Sequence, residues 1–214
     1  MIKLDKLPEP DVLSRNKASW TSTLMSYVNS GREIPAHIKN RYNDPEVKDL
    51  LITETNGKCM YCESYISTVA PEHIEHYRPK SVYPHLTFEW KNLGLACPWC
   101  NIKKNNDFDE TCAVINPYID SPEEHFVSLG TMICHKPNDK RAELTEYLLE
   151  LNRPELLESR KSRIDAIRPL IDKYEAETNP SLKAILKNEI EKEIAKDKPY
   201  SMCTTAVYKT MITD

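Results

Sequence analysis

Cys59-Met60-Tyr61-Cys62, Ile74-Glu75-His76-Tyr77-Arg78-Pro79-Lys80-Ser81, Trp90-Lys91-Asn92-Leu93 and Cys97-Pro98-Trp99-Cys100-Asn101-Ile102-Lys103-Lys104-Asn105 follow one another in this chain. The two C-x-x-C pairs are separated by 34 residues. Each pair can turn both sulfurs toward one ion, and two pairs complete a tetrahedral four-thiolate zinc site. A redox reading would need two independent dithiols, and no βαβ pattern surrounds either pair. The separation exceeds that of a simple zinc ribbon, so something is built inside the loop.

Around this centre the chain divides by charge. Positions 1–75 sum to −2, 76–105 to +4, and 106–214 to −6, within a net charge of −4 over 214 residues. Affinity for a polyanion should concentrate in the central basic island. Seven cysteines and no secretion-signal pattern argue against a disulfide framework and for a cytoplasmic protein. No apolar run approaches the ~20 residues of a membrane span. Gly31, Gly57, Gly94 and Gly130 are the only glycines, so neither G-x-x-x-x-G-K nor G-x-G-x-x-G can be written. Nucleotide chemistry, if the system has any, belongs to another protein.

Helical spacing of Val12, Trp20, Leu24, Tyr27 and Val28 predicts a helix over 11–30. Asp44 as cap and Pro45 in the first turn predict a second, running to Asn56-Gly57. Residues 64–95, with Pro71, Pro79 and Pro84, read as short strands and loops, and a short helix should start at Asn101. The pattern is again helical over 140–177, interrupted at Pro154 and Pro169, and over 180–195, ended by Pro199. Residues 1–10 should be extended and in need of something to lie against. Cys112, Cys134 and Cys203 read as buried free thiols.

The order carboxylate-His, then Asn-Leu, then C-x-x-C-N-x-x-K-N resembles the HNH, or ββα-metal, endonuclease motif in its zinc-bound form. The resemblance covers roughly 58–106. It implies an α+β, mostly helical fold, with a zinc-bound HNH core at 58–110 between an N-terminal arm and helices (1–57) and a helical region (111–214) suited to partner docking.

Phosphodiester hydrolysis needs an activated water, a cation at the scissile phosphate and a stabilised leaving oxygen. His76, largely neutral at pH 7, is the candidate base. Glu75, Asn101 and Asn105 offer oxygen to Mg²⁺ or another hard divalent ion. The family usually has Asp where Glu75 stands, a difference of one methylene. Asn92 matches the residue that pins the loop carrying the base. Arg78, Lys80 and Lys104 are the candidate phosphate contacts. His73 is open between the ion and a structural role. His85 is a weaker candidate still, and His37, His125 and His135 read as structural.

The opening Met-Ile-Lys-Leu with Pro8-Glu9-Pro10 and Trp20-Thr21, the run Lys58-Cys-Met-Tyr-Cys-Glu63 and Leu149-Glu-Leu-Asn-Arg153 are similar to a narrower family. This is the PtuB family of HNH nuclease subunits in Septu and related retron antiphage systems. That resemblance implies a defence effector acting with a PtuA-like ABC/SMC-type ATPase, and in some relatives with a retron reverse transcriptase and its DNA. The nucleic acid cut would be DNA first, tRNA or other RNA second. The competing expectation is a catalytically inactive zinc module that binds nucleic acid or assembles a complex.

Overall fold

The computed structural model of the chain describes residues 1–66 and 73–212. Helix α1 (Asp11–Asn29) buries Leu13 and Leu24 on one face. A single turn, α2 (Ala36–Lys39), anchors itself through Ile38. Helix α3 (Pro45–Thr55) starts where Asp44 accepts a hydrogen bond from the Glu46 amide at 2.9 Å. It stops at Asn56, whose φ of 52° leaves the helical region before Gly57 takes the chain away. Both long helices follow the expectation from spacing and caps.

The first C-x-x-C knuckle follows directly, with the Cys59 amide bonded to the Ser64 carbonyl at 2.9 Å. Strand β1 (His73–His76) then pairs antiparallel with β2 (Leu93–Ala96), Glu75 opposite Gly94 and His76 opposite Leu93. Between them the chain makes two 3₁₀ turns, Pro84–Leu86 and Trp90–Asn92. Pro71, part of the predicted irregular stretch, lies outside the described residues. Helix α4 (Pro98–Lys104) packs on β1, so the loop holds a ββα unit. Its start is Pro98, earlier than expected, because Cys97 serves as the cap and its sulfur accepts from the Cys100 amide.

The N-terminal arm lies against its own chain. Met1 and Leu4 are buried, and the Met1 ammonium meets Glu63 at 2.6 Å. Glu54, itself buried, takes Lys6 at 3.0 Å and the Leu7 amide at 2.7 Å. Lys6 sits 3.6 Å from the centre of the Trp90 ring, and the indole donates to the Leu7 carbonyl. The surface that the arm needs is supplied by the chain's own core.

After α4, one turn of helix α5 (Pro122–His125) leads into β3 (Phe126–Leu129) and β4 (Met132–His135), an antiparallel hairpin that hydrophobic periodicity did not single out. Its two-residue turn needs the positive φ of Gly130. Helix α6 (Lys140–Leu148) ends before the Leu149–Arg153 motif, and α7 (Pro154–Ala176) then runs straight through Pro169. Pro169 breaks nothing because it and Asp165 are exposed, so water can take the carbonyl left without an amide.

Helix α8 (Pro180–Glu193) stops short of Pro199. The buried Lys58 ammonium bonds the carbonyls of Lys196 and Lys198 and draws the chain into a turn. A last helix, α9 (Ser201–Met211), was not expected. It closes a small second core of Ile167, Ile171, Ile190 and Tyr208. The main core runs from Met1 through Leu51, Leu95 and Ile133 to Cys203, across the boundaries expected near 57 and 110. Of the lone cysteines only Cys203 is buried. Cys112 and Cys134 are half-buried, because one lies in a loop and the other on a two-stranded sheet. Among the described residues no helix is long and apolar enough to cross a membrane.

Candidate active site and metal centre

The two knuckles converge. The sulfurs of Cys59, Cys62, Cys97 and Cys100 all lie within 4.8 Å of one another, and Cys62 and Cys97 are 3.8 Å apart. Four ligands about 2.3 Å from a tetrahedral zinc ion stand about 3.8 Å from each other, so the cluster fits that ion. Hydrogen bonds from Cys100, Cys59 and Cys97 pull the Cys62 thiol well below its usual range, while burial pushes Cys59 well above it. A protonated neighbour thus favours a thiolate, the species a metal takes.

The Leu149–Arg153 motif braces this site from the C-terminal region. Leu149 and Leu151 are buried in the core. Asn152 pairs with the backbone of Ile133 in both directions, at 2.9 and 2.7 Å, as a further strand would. Arg153 lies 5.2 Å from the centre of the Trp99 ring, inside the second knuckle. Its half-buried guanidinium loses solvation, but Cys62, Cys100 and Cys97 more than compensate and raise its pKa. A zinc ion with four thiolates carries a net charge of −2, and Arg153 is a cation placed beside it.

An open cavity of about 640 Å³ is lined by Tyr42, His73, Glu75, His76, Lys80, Asn101 and Asn105 among others, and by none of the four cysteines. His76 is buried, and its Nε2 lies 3.0 Å from the Thr87 carbonyl. A carbonyl only accepts, so Nε2 carries the proton and Nδ1 keeps the lone pair. Burial, then the charge of Lys80, push the His76 pKa down to about 3, which leaves a neutral imidazole at pH 7.

Asn101 places its Nδ2 3.0 Å from Nδ1 of His73. With the amide nitrogen engaged, Oδ1 is the atom left for an ion. His73 therefore belongs to the cavity, a position its spacing two residues before Glu75 on one strand face already hinted at. Asn105 lines the same cavity but is not on the helix. Its φ of 46° ends α4, so it reaches the site from a turn.

Glu75 is nearly inaccessible, and burial pushes its pKa up against the opposing pull of Lys104. Lys104 is fully buried, 2.8 Å from Glu75 Oε1 and 3.2 Å from the His76 carbonyl. The expectation of a phosphate contact is corrected for Lys104. Its ammonium closes a buried ion pair behind the cavity, because the last turn of α4 points it into the ββα unit. The oxygen set of Glu75, Asn101 and Asn105 suits a hard divalent ion. With Glu75 already facing a lysine, that set carries little net negative charge.

Asn92 is buried away from the cavity. Its Oδ1 accepts from the Arg78 amide at 2.8 Å, and its Nδ2 donates to the carbonyls of Arg78 and Leu86 at 3.0 and 3.2 Å. It ties both ends of the loop that follows His76. Arg78 stands outside the cavity, paired with Glu110 at 2.9 Å and packed on Phe108 and Tyr83. Lys80 lines the cavity, bonded to the hydroxyl of Tyr42. His85 is exposed beside Tyr83 and His37 is exposed on α2, whereas His125 and His135 pair with Asp139 and Glu146. Tyr42 carried no functional signal in the sequence, and Arg153 carried one only as the last residue of the Leu149–Arg153 motif, with no role assigned to it. Each acts through a contact between segments far apart in the chain.

Residues 59–107 match the HNH endonuclease family. The chain is 29% identical over 153 residues to the Septu protein PtuB of Bacillus thuringiensis, an alignment covering 71% of this chain and 55% of that protein. It is 34% identical over 150 residues to the Septu protein PtuB of Bacillus mycoides (strain KBAB4), covering 56% of this chain and 51% of the other. The chain spans about half the length of the curated relatives it matches. It carries an HNH domain in a PtuB-like setting.

Proposed function

We propose that this chain is a metal-dependent HNH endonuclease that hydrolyses nucleic-acid phosphodiester bonds as the effector of a Septu-type antiphage defence system. The observation that carries the reading is His76, whose Nε2–H is tied to the Thr87 carbonyl so that Nδ1 keeps its lone pair, in an open cavity that Glu75, Asn101 and Lys80 also line. Nδ1 takes the proton of an attacking water. A divalent ion on Asn101, Glu75 and Asn105 would supply charge neutralisation at the phosphate. Lys80 contributes a fixed positive charge on the same wall, and Asn92 keeps the loop in place while the proton moves. Zinc on the four cysteines is structural in this reading, since four thiolates leave no open position for substrate.

A PtuA-like ABC/SMC-type ATPase fits as partner. This chain has no glycine-rich phosphate loop, and its charge after position 105 is acidic. Residues 111–214 offer a platform on which Leu182 and Ile185 of α8 are exposed, 38% and 58%. A retron reverse transcriptase and its DNA product remain further candidates in the same reading. The chain, purified with the product of the adjacent gene, should nick or linearise plasmid DNA, or cut tRNA, with Mg²⁺ and not with EDTA. His76→Ala should remove the activity. Cleavage by His76→Ala at the wild-type rate would overturn the assignment, and a complex that binds nucleic acid without cutting it would favour the inactive zinc module.

A further inference from the structure

Tyr42 comes from the turn between α2 and α3, outside residues 59–107, yet it lines the cavity. Its ring stands edge-on to the His76 imidazole, with centroids 4.5 Å apart and planes at 86°. Lys80 bonds its hydroxyl, and the ammonium nitrogen is 4.1 Å from the ring centroid. We propose that Tyr42 is a positioning residue that holds the His76 ring plane by a perpendicular ring contact and the Lys80 ammonium with its hydroxyl, so that base and phosphate-binding cation meet the substrate as one unit. The inference deepens the nuclease reading and rests on it for the role of His76.

The geometry supplies the reason for each half. An imidazole held only by Nε2–H on the Thr87 carbonyl can pivot about that hydrogen bond, and a ring packed at right angles removes the freedom. A lysine carries four rotatable bonds and loses much entropy when it must find a phosphate unaided. One held by a hydroxyl and a ring face has lost it beforehand. The turn that carries Tyr42 is itself fixed. Asn43 bonds the Asn40 carbonyl at 2.9 Å, Asp44 caps α3, and Ile38 and Val47 are buried on either side.

The test uses the full chain, as Tyr42→Phe, Tyr42→Leu, Lys80→Met and the Tyr42→Phe/Lys80→Met double variant. Binding is read by fluorescence anisotropy on a labelled DNA duplex and a labelled single-stranded RNA, without added divalent ion. Lys80→Met should weaken binding about 3- to 10-fold on the better probe and flatten its log-affinity slope against log salt by about 0.7–0.9. Tyr42→Phe should give part of that loss, and the double variant should lose no more than Lys80→Met alone. In cleavage with Mg²⁺, Tyr42→Phe should act mainly on KM, while Tyr42→Leu should lower kcat about 10-fold further.

Zinc content and melting temperature identify a misfolded Tyr42→Leu, in which case Tyr42→Phe decides alone. Additive losses in the double variant, or Tyr42→Phe binding as wild type, would overturn the inference even if the wild type cuts. The expected binding pattern without any cleavage would retain the Lys80 half and overturn the nuclease reading. A wild type that binds neither probe would overturn the inference, while cleavage by the chain purified with its partner tests the nuclease reading separately.

Discussion

Lys104 and Glu75 form an ion pair at 2.8 Å, with side-chain exposures of 0% and 3%, directly behind the candidate catalytic cavity. Removing one partner of such a pair strands the other charge out of water. Lys104→Met should cost about 3–5 kcal/mol by urea unfolding, and adding Glu75→Gln should recover part of it. A solvated phosphate-binding lysine would leave stability within about 0.5 kcal/mol when replaced. That smaller loss would return Lys104 to the substrate.

His76 also predicts how stability depends on pH. Its pKa is about 3 in the folded chain and about 6.5 when unfolded, so the unfolded state binds the extra proton. The contribution is therefore fully present above pH 6.5 and lost as pH falls toward about 3. Between pH 6.5 and 5 the unfolding free energy of the wild type should fall relative to that of His76→Gln by up to about 1.4 kcal/mol per unit. Parallel curves for the two proteins would mean that the imidazole is solvated.

The zinc site should respond to two kinds of substitution differently. Cys59→Ser or Cys97→Ser should lower zinc content below one per chain and destabilise the fold, since binding and folding are coupled. Arg153→Met should keep the ion but weaken its hold about 10- to 100-fold in competition with a chromophoric chelator. Wild-type protein that is well folded and free of zinc by elemental analysis would sink the four-cysteine assignment.

What the sequence disclosed and what it withheld divide along physical lines. Cysteine spacing announces a metal site because two C-x-x-C pairs have few other uses, and Asp44-Pro45 announces a helix start because the cap is local. The hairpin of β3 and β4 is only four residues per strand, too short for a periodic signal, and it owes its edge pairing to Asn152 some twenty residues away. Lys104 reads as a surface cation until α4 is placed on β1. Tyr42 has no signal of its own, because what matters is its contact with His76 and Lys80, which only the folded chain creates.

The arm is packed against its own chain, whereas α8 leaves one face exposed. Deleting residues 1–10 would remove the buried Met1 and Leu4, worth about 1.5–3 kcal/mol each, together with the buried Pro10, and would strip Glu54 of Lys6 and the Leu7 amide. That deletion should destabilise the chain itself, seen as a lowered urea midpoint without any partner present. On α8, by contrast, Leu186 and Ile190 close the core while Ile185, Glu189 and Glu191 are exposed. Ile185→Asp, or Glu189→Lys with Glu191→Lys, should leave the unfolding free energy within about 0.5–1 kcal/mol. If α8 is the docking face, the same variants should lower the yield of ATPase co-purified from the native operon. Unchanged co-purification with both would move the interface off α8, and an unchanged urea midpoint after the arm deletion would show that Met1 and Leu4 do not hold the core.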